Sequence, residues 1–132
     1  MFTTIQFESG KQLSIPLAVS QTITKGMGLT WTGGYLVAAI ADEETVDYIA
    51  TEAITTDGSA HTEILCMPAS KSRIRFEADC TIDTVAAQRG VAYELSTNLL
   101  LDNAAAATAG TGFLVDGLVG ATGDKKLSGY FL

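Results

Sequence analysis

The chain has few of the side chains on which most catalytic and metal chemistry depends. Its 132 residues include one histidine (His61), one tryptophan (Trp31) and two cysteines (Cys66 and Cys80). One histidine and two distant cysteines do not supply the three or four closely spaced ligands of a zinc site. The acidic cluster at 42–44 lacks the alternating pattern with a central glycine of a calcium loop, and we interpret it as a solvated turn. We therefore predict no catalytic residue, no metal site and no cofactor.

Charge of either sign is scarce, and positive charge is the scarcer. Charged residues make up 17% of the chain, against about 25% in average globular proteins. Eight basic and fifteen acidic residues give a net charge of −7, and only Lys71, Arg73 and Arg75 form a basic group. Binding to nucleic acid needs clustered lysine or arginine, so we predict no direct nucleic-acid contact. The same acidity argues against an anionic membrane surface.

Long apolar runs are absent as well, and the amino-terminal pattern is not typical of a secretory signal. The longest apolar run, Tyr35–Ala41, is far too short to span a bilayer. Glu8 and Lys11 interrupt the amino-terminal segment, which therefore predicts no secretory signal. Two cysteines are too few to indicate a disulfide framework, and we interpret them as buried thiols in a reducing compartment, with their pairing left open.

Short segments of β-forming residues separated by glycine, aspartate and asparagine fill the chain. Gly33-Gly34 and Asp57-Gly58 have the composition of hairpin turns. Residues 71–80 alternate charged and apolar side chains, which predicts a strand with one wet and one buried face. We expect one helical turn within 82–89 and a loop over the alanine-rich residues 103–112. Strands at spacings of roughly eight to twelve residues predict an all-β fold, a small single-domain β-barrel or sandwich.

The amino-terminal segment reads as an extended arm. Apolar residues alternate with polar ones in two stretches, and Pro16 confines the second stretch to an edge strand or an arm, because proline cannot donate to a β-ladder. We divide the chain into an arm at residues 1–19 and a β-barrel or sandwich domain at residues 20–132. An arm of this pattern suits the addition of a strand to a neighbouring sheet.

The aromatic residues and the histidine allow more than one interpretation. Trp31, Tyr35, Tyr48 and Tyr93 could form a platform on which sugar rings stack, although core packing is the commoner use of aromatics in β-proteins. His61 and Cys66 would point to opposite faces of a common strand, because their separation is odd. That geometry excludes them as a catalytic pair, and His61 is interpreted as a histidine at a hairpin end.

With these segments laid out, the chain resembles the head decoration proteins of tailed phages, also called capsid cement proteins. The segments that carry the resemblance are Ile23–Trp31, Gly33–Val37, Arg89–Leu95, Gly112–Gly117 and Lys126–Phe131. The resemblance implies a β-rich homotrimer without enzymatic activity. It implies binding to the outside of an expanded capsid, with the major capsid protein as partner and the virion surface as location.

The resemblance also suggests which residues contact the capsid. We expect contacts from the apolar arm residues and from two aromatic residues of the domain: Phe2, Ile5, Phe7, Leu13, Ile15, Leu17, Trp31 and Tyr35. The alternative is a carbohydrate- or cell-surface-binding β-module of a phage tail or fibre, with Trp31 and the tyrosines as its sugar platform. A small β-barrel enzyme is the third hypothesis, and the single histidine argues against it.

Overall fold

The computed structural model describes residues 1–7, 12–43, 45–69, 74–108, 110–121 and 123–132. In chain order the strands are β1 (Phe2–Phe7), β2 (Leu13–Pro16), β3 (Thr22–Ile23), β4 (Gly28–Thr32), β5 (Tyr35–Ala38), β6 (Tyr48–Ala50), β7 (Ile54–Thr55), β8 (Glu63–Pro68), β9 (Ile74–Asp79), β10 (Ala92–Thr97), β11 (Leu100–Ala106), β12 (Phe113–Leu118) and β13 (Lys126–Phe131). A single 3₁₀ turn at Ala86–Gln88 is the helical element of the described residues. The prediction of an all-β protein is confirmed.

Two larger sheets pack as a small single domain. The six-stranded sheet has the order β1-β9-β13-β12-β10-β11, the five-stranded sheet the order β2-β8-β6-β4-β5, and β3 pairs with β7 in a small third sheet. The paired strands are antiparallel, both where they are consecutive, as in β4–β5 and β12–β13, and where they are distant in the chain, as in β1–β9 and β2–β8. Of the two predicted architectures, barrel or sandwich, the sandwich describes the arrangement.

Each larger sheet also curls toward closure. A parallel bridge joins Leu17, just after β2, to Leu36 of β5, and a second parallel bridge joins Cys80 to Leu101. The first bridge is reinforced by a hydrogen bond of 2.9 Å from the Ala18 N–H to the Leu36 carbonyl. The outer strands of the five-stranded sheet are thereby drawn together, and their apolar residues enclose a small core.

The interior is divided into two clusters, which we name the phenylalanine core and the aliphatic core. The phenylalanine core includes the aromatic residues Phe2, Phe76, Phe113, Phe131 and Tyr93. The aliphatic core consists of Leu17, Ile23, Met27, Leu29, Leu36, Ala50, Ile64 and Cys66. Strand β6 serves both, because Ile49 belongs to the first cluster and its neighbour Ala50 to the second. Successive residues of a strand point to opposite faces, so the two cores lie on opposite faces of the five-stranded sheet.

The strand predicted at 71–80 is confirmed over its described part. Along β9 the buried residues Ile74, Phe76 and Ala78 alternate with the half-buried Arg75 and Glu77. The helical turn expected within 82–89 is confirmed at Ala86–Gln88. Both cysteines are free and buried, as predicted.

The loop expected over residues 103–112 is wrong for its first part. Strand β11 continues to Ala106, which pairs with Tyr93 of β10. Asn103 is 3% exposed, and its side-chain amide exchanges hydrogen bonds of 3.0 Å with the backbone N–H and carbonyl of Ile82. The hydrogen bonds of the buried Asn103 side chain hold the backbone of this segment in place. The alanine-rich sequence around Asn103 gives no indication that Ile82 is its partner.

The hairpin expected at Asp57-Gly58 is confirmed in its strand pairing, because β6 and β8 pair antiparallel, but the tight turn expected between them is wrong. Strand β7 before it pairs with β3, whereas β8 after it pairs with β2 and β6. The Asp57 carboxylate instead accepts hydrogen bonds from the backbone N–H groups of Ser59 and Ala60. The aspartate therefore stabilises a wider local turn, which is its other common use in loops.

The arm at residues 1–19 is extended but does not stand apart from the domain. Strand β1 pairs with β9 as the outer strand of the six-stranded sheet, and β2 pairs with β8 as an outer strand of the five-stranded sheet. Phe2 and Leu17, 2% and 0% exposed, lie in the two cores. The proposed boundary between arm and domain is thus corrected, because apolar alternation serves a sheet of the same chain as well as that of a neighbour. The edge position predicted from Pro16 is confirmed.

Candidate interaction surface

The hairpin formed by β4 and β5 projects from the five-stranded sheet. Gly33 and Gly34 both have positive φ, 58° and 86°, the backbone of the two-residue turn that matches strand twist. A Cβ atom built on either glycine would meet no atom within 4 Å. The turn at residues 33 and 34 therefore borders open space, while the register Leu29↔Ala38 anchors the base of the hairpin.

One face of this hairpin presents an exposed indole. Trp31 lies on the same face as Leu29, two residues earlier, whose side chain is in the aliphatic core. Its ring packs edge-on against Tyr48 of the neighbouring strand, with centroids 5.8 Å apart and an interplanar angle of 84°. The Trp31 side chain is nevertheless 46% exposed. It is therefore held in place by one aromatic contact and remains available to a ligand.

The opposite face of the hairpin carries a second aromatic pair. Tyr35 stacks on His61 with ring centroids 3.7 Å apart and planes within 7° of parallel. The Nδ1 atom of His61 lies 3.0 Å from the carbonyl oxygen of Leu17. His61 thus orders Tyr35 at the seam where the outer strands of the five-stranded sheet meet.

Most of the net negative charge lies in the same part of the chain. Residues 12–69, which form β2–β8, contain seven acidic residues and a single basic one, Lys25. Residues 70–132 contain seven acidic and six basic residues, so nearly all of the net charge belongs to the half with the hairpin. One of these carboxylates lies at the backbone of the tryptophan, because Asp47 Oδ2 accepts a hydrogen bond of 3.1 Å from the Trp31 backbone N–H.

The structure separates the predicted contact residues into available and unavailable ones. Trp31 and Leu13 are exposed, at 46% and 37%, and Tyr35 is half-buried against His61. Ile15 is half-buried against the aliphatic core. Phe2 and Leu17 are core residues and are corrected as contact residues, because their side chains already pack inside the domain. The side chains of Ile5 and Phe7 lie outside the described residues.

The four-residue sugar platform considered from the sequence does not assemble as a unit. Trp31 and Tyr48 come together on one face, Tyr35 lies on the other, and Tyr93 is 7% exposed in the phenylalanine core. Sequence reasoning missed the Tyr35–His61 stack, for which the chain offers no local signal. It also missed the segregation of charge, which counting acidic and basic residues by segment would have found.

The remaining surface offers little for chemistry. No group of three or more histidine, cysteine, aspartate or glutamate side chains is placed to hold a metal ion among the described residues. A cleft of about 340 Å³ opens between the start of β1 and strands β6 and β8. Among its described lining residues, Lys25 alone carries an ionisable side chain. Within the described ranges, the chain forms no helix with the length and apolarity to cross a bilayer.

Both thiols are poor nucleophiles in this fold. Burial raises the pKa of Cys66 to about 12 and that of Cys80 to about 11. The thiolate is the reactive form of cysteine, so neither side chain is activated at neutral pH.

No protein-family model and no curated protein sequence matches the chain.

Proposed function

We propose that this protein is a non-enzymatic structural protein of a virion, which binds the outside of an expanded phage capsid and stabilises it by bridging capsid subunits. The observation that carries the proposal is the β4–β5 hairpin, which presents the exposed Trp31 on a domain with two buried cores. The resemblance of the sequence to head decoration proteins supports it. A folded domain with an exposed aromatic side chain is suited to binding the surface of another protein.

Binding restricted to the expanded lattice would stabilise that lattice by the free energy of binding. Attachment of a homotrimer at several capsid subunits would raise the effective affinity without requiring one exceptional contact. A surface poor in charge costs less to desolvate than one rich in lysine and glutamate. The acidic character of the protein would keep it away from packaged DNA and favour basic patches on the shell.

Co-sedimentation with capsids tests the proposal. The full chain is mixed with DNA-free capsids of the encoding phage, before and after expansion, and the solution mass is measured by light scattering. We expect a trimer that sediments with expanded capsids and protects them against heat. A monomer that remains in the supernatant with both capsid forms would contradict the proposal.

Removal of the first 19 residues is unsuitable as a test of capsid binding. Because Phe2 and Leu17 belong to the two cores, we expect the truncated chain to unfold. Point substitutions at exposed positions test binding without this complication.

A carbohydrate-binding module is the second candidate, and the exposure of Trp31 favours it. Stacking of a sugar ring on the indole would change the fluorescence of this single tryptophan. Titration with a panel of oligosaccharides distinguishes the two candidates. A saturable change with a sugar, together with no sedimentation on capsids, would support the second.

A further inference from the structure

We propose that the β4–β5 hairpin is the docking element of this protein, and that its partner is a protein surface that presents arginine side chains. The inference deepens the proposed function and rests on it for the identity of the partner as capsid protein. It is carried by three features: the exposed indole of Trp31, the Asp47 carboxylate at the backbone N–H of the same residue, and the net negative charge of residues 12–69.

The indole supplies the first half of an arginine site. A guanidinium group lies favourably over the face of an aromatic ring, tryptophan being the best, within about 6 Å of the ring centroid. Tyr48 contacts Trp31 edge-on, an arrangement that leaves a face of the indole uncovered by that neighbour. The contact also restricts the motion of the indole, which lowers the entropy lost when a ligand binds.

The carboxylate supplies the second half. Asp47 is fixed to β4 by two hydrogen bonds, one from the Trp31 N–H to its Oδ2 and one from its own N–H to the Leu29 carbonyl. Arginine pairs with carboxylates through a planar fork and stacks on aromatic rings, whereas lysine acts as a compact, strongly hydrated charge. A surface that presents an indole and a carboxylate held at the backbone of the same residue therefore favours arginine over lysine.

The hairpin is accessible to a macromolecular partner. A Cβ atom built on Gly33 or Gly34 would meet no atom within 4 Å. His61 covers the ring of Tyr35 on one face of the hairpin, so we expect the partner to contact the face that carries Trp31. The net negative charge of residues 12–69 would accelerate the encounter with a basic surface at low salt.

The test uses nona-arginine and nona-lysine peptides, titrated into the full chain by calorimetry and followed by tryptophan fluorescence. We expect nona-arginine to bind more tightly, to change the Trp31 fluorescence, and to weaken as salt is added. Trp31→Ala should lower the affinity about tenfold and Asp47→Asn about threefold, as expected when a contact at the centre of an interface is lost.

Matched control variants come from the other half of the molecule. Ile82 is 44% exposed, close to the 46% of Trp31, and Asp83 beside it is exposed. Ile82→Ala and Asp83→Asn should leave the affinity for nona-arginine unchanged. Circular dichroism and thermal unfolding verify that all four variants fold. Equal losses for Asp47→Asn and Asp83→Asn, or full affinity in Trp31→Ala, would overturn the proposal.

Co-sedimentation of the same variants separates failure of this inference from failure of the proposed function. Wild-type protein and Trp31→Ala both sedimenting with expanded capsids would show that the function is right and the docking element wrong. If nona-arginine binds through Trp31 but the protein does not sediment with capsids, the docking element is right and the proposed function is wrong. A fluorescence response to oligosaccharides and none to nona-arginine would assign the indole to sugar and overturn the inference.

Discussion

The two halves of this molecule use aromatic side chains in opposite ways. In the six-stranded sheet four phenylalanine rings pack together with centroid distances of 5.0–5.9 Å, and each is at most 2% exposed. In the five-stranded sheet the interior is aliphatic, and the aromatic residues Trp31, Tyr35 and Tyr48 lie partly or largely at the surface. The first half thus buries its rings in a core, whereas the second leaves its rings partly or largely exposed.

Charge follows the same division. The half with the buried rings is nearly neutral, and the half with the exposed rings carries almost all of the net negative charge. The halves are nonetheless joined by backbone hydrogen bonds, from Asp42 N–H to the Leu95 carbonyl and from Leu95 N–H to the Glu43 carbonyl. One small domain can therefore combine a sheet with buried rings and little net charge with a sheet that has exposed rings and most of the net charge.

The largest expected effect is the loss of a buried ring. Phe131 contacts Phe2, Phe76 and Phe113. We expect Phe131→Ala to lower the free energy of unfolding by about 3–5 kcal/mol, the usual cost of a cavity of this size. Trp31→Ala, the control in the other half, should cost less than about 1 kcal/mol. Urea unfolding measures both values, and equal losses would remove the distinction between the halves.

A smaller steric effect is expected at Gly129 of β13. A Cβ atom there would lie 2.0 Å from the Leu114 carbonyl oxygen and 2.8 Å from the ring of Phe113. We expect Gly129→Ala to destabilise the protein by about 2–3 kcal/mol, because the backbone must shift to relieve the clash. Gly33→Ala at the open hairpin tip, strained only by its positive φ, should cost about 1 kcal/mol. The reverse order in thermal unfolding would contradict this.

A weaker, pH-dependent effect is expected on the six-stranded sheet. Arg75 donates two hydrogen bonds of 2.8 Å to Asp116, and this contact lowers the pKa of the Asp116 carboxyl. A folded-state pKa below the unfolded value adds stability above the unfolded pKa of about 4, and that stability is lost as the pH falls through the folded pKa. Both side chains are about one-third exposed, so the contribution is about 1 kcal/mol or less.

The variant Asp116→Asn isolates this contribution. Its deficit in free energy of unfolding relative to wild type should be present at neutral pH and should shrink as the solution becomes strongly acidic. Asp83→Asn, an exposed control, should unfold like the wild type near neutrality. A deficit of Asp116→Asn that stays constant with pH would show that the ion pair is not its source.

The smallest expected difference concerns the two thiols, one in each core. Cys66 lies in the aliphatic core and Cys80 in the phenylalanine core. Because β6 contributes Ile49 to one core and Ala50 to the other, we expect both cores to open together. Labelling of each thiol in dilute urea, read by mass spectrometry, should give opening free energies within about 1 kcal/mol of each other. A much faster reaction of Cys66 would show that the aliphatic core opens without the phenylalanine core.

Much of the fold could be predicted because its signals are local. The alternation along β9, the turn at Gly33-Gly34 and the exclusion of Pro16 from a central strand each depend on a few neighbouring residues. The strand at 103–106 and the turn at Asp57 could not be predicted, because a buried amide from Asn103 and distant strand pairs decide them. The prediction that residues 1–19 form a separate arm was wrong for the same reason. The alternation along a strand does not indicate which sheet the strand joins.

The sequence by itself determined that this protein is all-β, that its thiols are buried, and that its net negative charge lies mainly in residues 12–69. These features can be recognised from the sequence alone, because they depend on side-chain alternation, on glycine positions and on formal charges along the covalent chain. Only the tertiary structure decided that Phe2 and Leu17 are interior, that Trp31 and Tyr48 meet, and that Tyr35 stacks on His61. Those outcomes depend on contacts between segments far apart in the chain, and these form only when the sheets pack.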